Sequence, residues 1–436
     1  MATTPAVKLR VFSLNCWGIR YLSQHCSQRY EMIGQLLKEE GHDLALLQEV
    51  WSEKDYLFLK KTLAHSHPYT HYFKSGVIGS GLAVFSKHKI LDTFLYRYSI
   101  NGYPYMAHHG DWFGGKAVGM VIVDICGLAV HAYVTHLHAE YCREKDSYLP
   151  HRVVQAWELQ HFVRHTSGCA DLVILGGDLN MHPRDLGNRL LLSYTGLRDS
   201  YAEAEKFEGC EDGITLIAEN PFINKKELEP FENGIRIDYI LFKQGLSRVS
   251  VKCESLSTTT GSVPGKPFPY SDHEALSAVL LLQSEEGGGP RPQRCSAEPD
   301  PGLVDIVNEA RTEVKVGLHH AERMRGTVAR MGMMGLALLL VELAIALVPW
   351  LAHSTEHAFP RASFYLLGAL SFTTLLLTAL LYIFYSTQVK TLQGAEDQMR
   401  LAVTGLQEKL QKRSQTQPVE QGRAQGEPAS TSANSP

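Results

Sequence analysis

Nowhere in the 436 residues does a Cys-x-x-Cys pair or an Asn-x-Ser/Thr sequon occur, and the eight cysteines lie scattered. These absences favour reduced thiols in a cytosol-facing domain over a disulfide framework or a structural zinc site. The first residues, MATTPAVKLRVFSLNCWG, lack the continuous apolar run of a secretory leader, so synthesis is expected to begin in the cytosol. Positive charge is not in excess either. The chain holds 42 Lys and Arg against 46 Asp and Glu, and residues 1–284 hold 28 against 31. The basic footprint of a nucleic-acid binder is therefore missing, and no nucleic-acid partner is expected.

What is present is 44% hydrophobic and 20% charged residues, enough for one large globular domain with attachments. Between residues 8 and 282, short β-type runs alternate with helical windows. Strands are expected at 9–15, 43–49, 81–86, 117–125, 128–136, 171–175, 235–242 and 274–282. Helices are expected at 29–40, 52–63, 146–166 and 185–194, with Ser52 as a cap. Such interleaving predicts an α/β sandwich, two sheets with helices outside, filling a catalytic domain over 1–284.

Residues 285–302 are rich in Gly, Pro and charge and read as a flexible linker. A basic juxtamembrane helix is expected over 303–330, followed by apolar runs at 331–350 and 363–385 joined by a short loop at 351–362. Each run is long enough to cross a hydrocarbon core of roughly 30 Å. Glu342 interrupts the first run and is expected to be neutral or to face the partner helix. Arg311, Lys315, Arg323, Arg325 and Arg330 precede the first span and Lys390 and Arg400 follow the second, whereas the loop holds only Arg361. That bias places both termini and the catalytic domain in the cytosol. A helix over 386–412 and a disordered tail over 413–436 complete the chain.

Several polar residues stand at strand ends, where chemistry is commonly displayed. Gly-Gly-Asp-Leu-Asn at 176–180 follows an apolar strand and sets Asp178 and Asn180 where a carboxylate and an amide can meet a metal, a water and a phosphoryl oxygen. Ser-Asp-His at 271–273 puts Asp272 and His273 before the last strand of the domain, a pairing suited to proton transfer. Arg-Ile-Asp-Tyr at 236–239 offers Asp238 as an orienting partner for a catalytic histidine; strict alternation would place Arg236 with Asp238 and Ile237 with Tyr239. Glu49 and Asn15 end two more strands as hard oxygen ligands for magnesium, and His136 closes another in Thr-His-Leu-His. Lys116, in Gly-Gly-Lys, is a candidate phosphate contact, although no Walker pattern surrounds it. The aromatic and histidine-rich stretch 101–117 suits a mobile rim, and its rings are candidates for a quaternary-ammonium cage.

Taken in order, N-x-W, Q-E, T-H, G-D-L-N, R-I-D-Y and S-D-H resemble the endonuclease/exonuclease/phosphatase (DNase I-like) superfamily over nearly all of residues 8–282. Within it, the 101–117 stretch, the Thr-His-Leu-His-Ala-Glu run and the C-terminal hairpin resemble the magnesium-dependent neutral sphingomyelinases. The resemblance implies a four-layer α/β sandwich plus a transmembrane helical hairpin. It also implies cleavage of membrane sphingomyelin, and of related choline lysolipids, at a bilayer of the endoplasmic reticulum. Carried over, Glu49 holds magnesium, or manganese in its place, with Asn15 beside it. Asp178 and Asn180 orient the water and phosphate, and His136 donates to a phosphoryl oxygen. His273, aligned by Asp238 and flanked by Asp272, is the general base, with Asp178 left open as an alternative base. The rival readings are a nuclease, a phosphoinositide phosphatase and a catalytically silent membrane adaptor. The first two call for basic surfaces that the sequence lacks, and the third calls for a broken site.

Overall fold

The computed structural model describes residues 6–106, 108–245, 249–284, 301–351 and 361–416. Alternating aliphatics build two mixed sheets. The first runs β10 (Lys206–Glu208), β14 (Val249–Thr258), β15 (Leu276–Ser284), β1 (Val7–Asn15), β2 (Leu44–Gln48), β4 (Leu82–Ser86) and β3 (Tyr69–Phe73). The second runs β5 (Ile90–Arg97), β6 (Ala117–Ile125), β7 (Leu128–His136), β8 (Leu172–Asp178), β13 (Asp238–Gln244) and β9 (Arg198–Asp199), while β11 (Leu216–Ile217) pairs separately with β12 (Gly234–Ile235).

The sheets meet through Leu9, Val11, Leu44, Leu46 and Val84 on one side and Val121, Ala132, Val134, Ile174 and Ile240 on the other. Each Val, Leu or Ile among them contributes about 1.5–3 kcal/mol by leaving water. The outer face of the first sheet, with Phe12, Leu14 and Leu47, is covered by Tyr30, Ile33 and Leu37 of α1 (Cys26–Glu40) and Leu59 of α2 (Glu53–Thr62). Tyr133, Val173 and Leu175 of the second are covered by Ala156, Leu159 and Val163 of α3 (Leu149–Thr166) and Leu191 of α4 (Leu186–Thr195); α5 (Ser200–Glu203) is a single turn after β9. Helix, sheet, sheet, helix is the expected four-layer sandwich.

Six strands were not expected, the very short β9, β10 and β11 and the longer β3, β5 and β14. β3 and β5 are sheet edges whose side chains are mostly half-exposed, which weakens the alternation that marks a strand. β14, with the run VSVKCESLST, mixes buried and exposed positions about a bulge between Cys253 and Ser255. Residues 235–242 are not one strand: β12 ends at Ile235 and β13 begins at Asp238. The expected alternation lapses across that break, and the Arg236 guanidinium lies 5.0 Å from the Tyr239 ring while its Nη1 bonds Asp199 at 2.5 Å.

The C-terminal part forms two long helices, α6 (Pro301–Leu351) and α7 (Arg361–Thr416). Each is long and apolar enough to cross a membrane, and Leu338, Val341, Leu366 and Ile383 stand exposed on them. Glu342 turns inward to α7, where its Oε1 accepts from Ser371 Oγ at 2.9 Å. Residues 285–300, 352–360 and 417–436, which hold nearly all of the expected linker, loop and tail, lie outside the described residues.

Outside their most apolar stretches the two helices lie against the sandwich. Val304, Val307, Val314, Val389, Leu392 and Met399 pack on Val153 and Trp157 of α3 and on Leu190 and Tyr194 of α4. Trp157 Nε1 donates to Gln398 Oε1 at 3.0 Å, and Arg311 Nε pairs with Glu396 at 2.6 Å. This fifth layer explains why α3 buries residues on both faces. α6 pairs Glu309 with Arg189 of α4, sets Gly317 against Pro150 at the start of α3, and brings His320 to Tyr103. It therefore runs towards the strand ends that carry the polar cluster, and its apolar stretch continues beyond them.

Candidate active site

Strand register assembles the site. β7 and β8 are parallel with His136 opposite Asp178, and β8 and β13 are antiparallel with Asp238 opposite the same Asp178. Three functional side chains thus stand abreast at one end of the second sheet. Asn15 ends β1 of the first sheet, Glu49 follows β2, and Asp272 and His273 precede β15. Gly177 lets the strands close up: at φ 154° it lies beside Thr135, whose carbonyl a Cβ would strike.

Asn15 is the hub. Its Oδ1 accepts the Trp17 N–H at 3.0 Å, which turns Nδ2 towards Glu49 Oε1 and Asp178 Oδ2, each 3.0 Å away; His273 Nε2 lies 3.4 Å off. One amide therefore binds both expected acidic groups, and Asn15 and Asp178 are 1% exposed, so these bonds are shielded from water. Glu49 and Asn180 hold left-handed backbone, φ 55° and 49°, a costly state for Glu that is met at functional turns. Trp51 Nε1 donates to Glu49 Oε2 at 3.3 Å; Asn180 gives its N–H to Asp178 Oδ1 at 2.9 Å and its Nδ2 to the Leu137 carbonyl at 3.1 Å.

His273 Nδ1 lies 2.8 Å from Asp238 Oδ2. Burial acts to lower its pKa, but the carboxylates of Asp238, Asp272 and Asp178 outweigh burial and hold it well above the usual histidine value. Burial, then Asp238, lifts Asp178 to about 7. Loss of hydration likewise lifts Asp272, which accepts from Ser271 Oγ at 3.0 Å, to about 6.

Lys116, in the sequence only a weak candidate, is part of the cluster. It is 1% exposed, with Nζ 2.8 Å from Asp111 Oδ1, 2.8 Å from His136 Nε2 and 2.7 Å from the Leu137 carbonyl. Burial would raise the Asp111 carboxyl, but Lys116 and then His138 pull it well below its ordinary range. Burial and Lys116 together keep His136 neutral. His136 Nε2 also lies 3.3 Å from Asp178 Oδ2, so Lys116, His136 and Asp178 form one row. Asp111 escapes sequence reading because its turn folds back onto Lys116, and for Lys116 the only local signal is the Gly-Gly before it.

The rings of 101–117 do not gather into a cage by themselves. Tyr103 is buried against His151 and Tyr148, whereas Trp112 is part-exposed. Tyr141, from the following loop, stacks on His109 at 3.8 Å and donates to Asp111 Oδ2 at 2.6 Å.

The donor set suits a hard divalent cation. Glu49, Asp178, Asp238 and Asp272 crowd one cleft, and two of them are pushed upward by burial and then by a neighbouring carboxylate. Donor atoms of Asp178, Asp238 and His273 lie within 4.8 Å of one another. Glu49 stands outside that trio, joined to it through Asn15 and, at 4.0 Å, His136.

Residues 12–273 match the endonuclease/exonuclease/phosphatase family. Over 399 residues, 92% of this chain and 93% of the other, the sequence is 45% identical to mouse sphingomyelin phosphodiesterase 2. It is 50% identical to the human protein of that name over 343 residues, covering 78% and 80%. Inositol phosphosphingolipids phospholipase C of Saccharomyces cerevisiae is 32% identical over 315 residues, covering 64% and 65%. Among solved structures, sphingomyelinase C from Streptomyces griseocarneus superposes with a TM-score of 0.50 at 20% identity, covering 63% of this chain and 99% of that one, a likeness of fold.

Proposed function

The chain belongs to the endonuclease/exonuclease/phosphatase family as a sphingomyelin phosphodiesterase, and from that premise we propose magnesium-dependent hydrolysis of sphingomyelin to ceramide and phosphocholine, with choline lysophospholipids as further substrates. The observation that carries the reading is the double contact of Asn15 with Glu49 and Asp178 beside the His273–Asp238 pair.

Glu49, with Asn15 alongside, would hold magnesium, or manganese in its place, and the ion would polarise a phosphoryl oxygen and offset developing charge. Asp178 and Asn180 orient the attacking water and the phosphate. In the molecules whose ring is neutral, His273 would take the water's proton at Nε2, since Nδ1 is engaged by Asp238, which sets the ring's tautomer. As the new P–O bond forms, the bond to the ceramide oxygen breaks, and that oxygen takes a proton from solvent, to which His273 returns the one it accepted. Lys116 and His136, joined at 2.8 Å, would add positive charge and a hydrogen-bonding ring beside the phosphate. Asp272 flanks His273 and helps hold its proton.

α6 and α7 serve as a membrane hairpin of a multi-pass protein, with the catalytic domain and both termini in the cytosol and the endoplasmic reticulum as the membrane. The course of α6 supports a site that opens towards the bilayer. The loops at that end raise Tyr21, Leu22, Val77 and Ile78 into solvent, apolar tips that fit a lipid surface. Phosphocholine release from sphingomyelin vesicles, with and without magnesium and in Glu49→Gln and His273→Ala, tests the reading. Hydrolysis of DNA or inositol lipids with sphingomyelin untouched would contradict it.

A further inference from the structure

A cavity of about 510 Å³ lies where the catalytic domain meets α7, between the segment 97–102 with Trp112 on one side and Phe384, Thr387, Gln388 and Thr391 on the other. It is outside the catalytic cleft. Its place along α7 fixes its depth: the apolar stretch ends at Tyr385, so the wall from Phe384 to Thr391 lies at headgroup level if that stretch spans a bilayer.

The lining is polar in a specific way. The Gln388 side chain is 5% exposed and bonds Tyr103, and its Oε1 is buried without a donor. Asn101 Nδ2 is buried without an acceptor, while its Oδ1 is taken by Gln155 Nε2 at 3.0 Å. Orphaned buried groups of this kind cost about 1–3 kcal/mol each unless a water or a ligand meets them. Arg97 lines the same cavity, exposed, with no acceptor for its guanidinium among the described residues. The cavity thus offers one cation, one free donor and one free acceptor, and no carboxylate lines it.

We propose that this cavity binds the headgroup of a primary-amine phospholipid from the surrounding leaflet, its phosphodiester at Arg97 and Asn101 and its ammonium donating to Gln388. A choline headgroup has no N–H to give Gln388, so the site discriminates against the substrate class. This assignment rests on reading α6 and α7 as membrane spans. Occupancy bears on catalysis through one hydrogen-bonded wall. Gln155 bonds Asn101 through Nε2 and, through Oε1, receives the His138 N–H at 2.8 Å; His138 in turn lies 3.7 Å from Asp111, the partner of Lys116.

Hydrogen exchange on the full chain in detergent micelles tests the site, with water-soluble short-chain phosphatidylethanolamine, short-chain phosphatidylcholine and inorganic phosphate as the three probes. Phosphatidylethanolamine is expected to slow exchange in peptides covering 97–103 and 384–391. Arg97→Glu, a change on an exposed side chain, and Gln388→Leu should each raise its half-saturating concentration about ten-fold, the size of one lost charge-assisted hydrogen bond. Equal protection by phosphatidylcholine or by phosphate would overturn the assignment, as would protection undiminished in both variants or no protection by any probe. Phosphocholine release and sedimentation with vesicles, measured on the same protein, report separately on the catalytic and membrane-span readings.

Discussion

Asp238 Oδ2 lies 2.8 Å from His273 Nδ1, and Asp238 is set there by pairing with Asp178 in the antiparallel β8–β13 ladder. The residue that orients the ring and a carboxylate that shares its cleft are thus one rung of a sheet, fixed before any substrate arrives. Asp238→Asn is expected to lower kcat about 10²–10⁴-fold with little change in KM, because the ring loses its tautomer and orientation. An unchanged kcat would remove Asp238 from the mechanism.

Lys116 and Asp111 form a buried ion pair beside His136, so Lys116→Ala leaves the Asp111 carboxylate buried without its ammonium, and a loss of about 3–5 kcal/mol is expected in chemical unfolding. The double variant Lys116→Met with Asp111→Leu should recover most of that stability. Its phosphocholine release should nevertheless stay low, and recovery of both would make the pair purely structural.

How much of this was readable in advance differs residue by residue. β6 and β7 were legible to their end residues because apolar runs were bounded by Lys116, Gly127 and the polar T-H-L-H turn. Asn15, Glu49, His136 and Asp178 were legible as polar residues closing such runs. Lys116 was legible only as a weak candidate, although the β6–β7 hairpin sets it beside His136, and Asp111 was not legible, since its meeting with Lys116 depends on how the intervening turn folds back. The fifth layer was hidden for a similar reason: Val304, Val307 and Val314, or Val389, Leu392 and Met399, follow helical spacing whatever they pack against, and the outer face of α3 gives no hint of its partner.

Tyr21, Leu22 and Val77 are exposed at the end of the domain towards which α6 runs. Leu22→Asp with Val77→Asp is expected to reduce hydrolysis of vesicle sphingomyelin about ten-fold while leaving detergent-dispersed substrate within about two-fold, since only the bilayer presents apolar depth to lose. Parallel losses on both substrates would assign these tips to the fold instead.

Glu158 is raised by burial from 4.5 to about 7, against the opposing hydrogen bonds from Ser99. The folded chain then keeps a proton that the unfolded chain releases near 4.5, so the contribution to stability is complete below about 4.5 and is lost as pH rises to about 7. Thermal unfolding in detergent should show Tm falling across that window, and Glu158→Gln should flatten the fall. An unchanged slope in the variant would assign the dependence to other groups.

The central claim, that Glu49, Asn15, Asp178 and the His273–Asp238 pair form one metal-dependent phosphodiesterase site, is tested most directly by phosphocholine release from sphingomyelin as magnesium is titrated. Wild type should respond saturably, Glu49→Gln should need far more metal, and His273→Ala should stay at least about 10²-fold slower at saturation. Equal rates for wild type and His273→Ala, or release that ignores magnesium and chelator alike, would contradict the account.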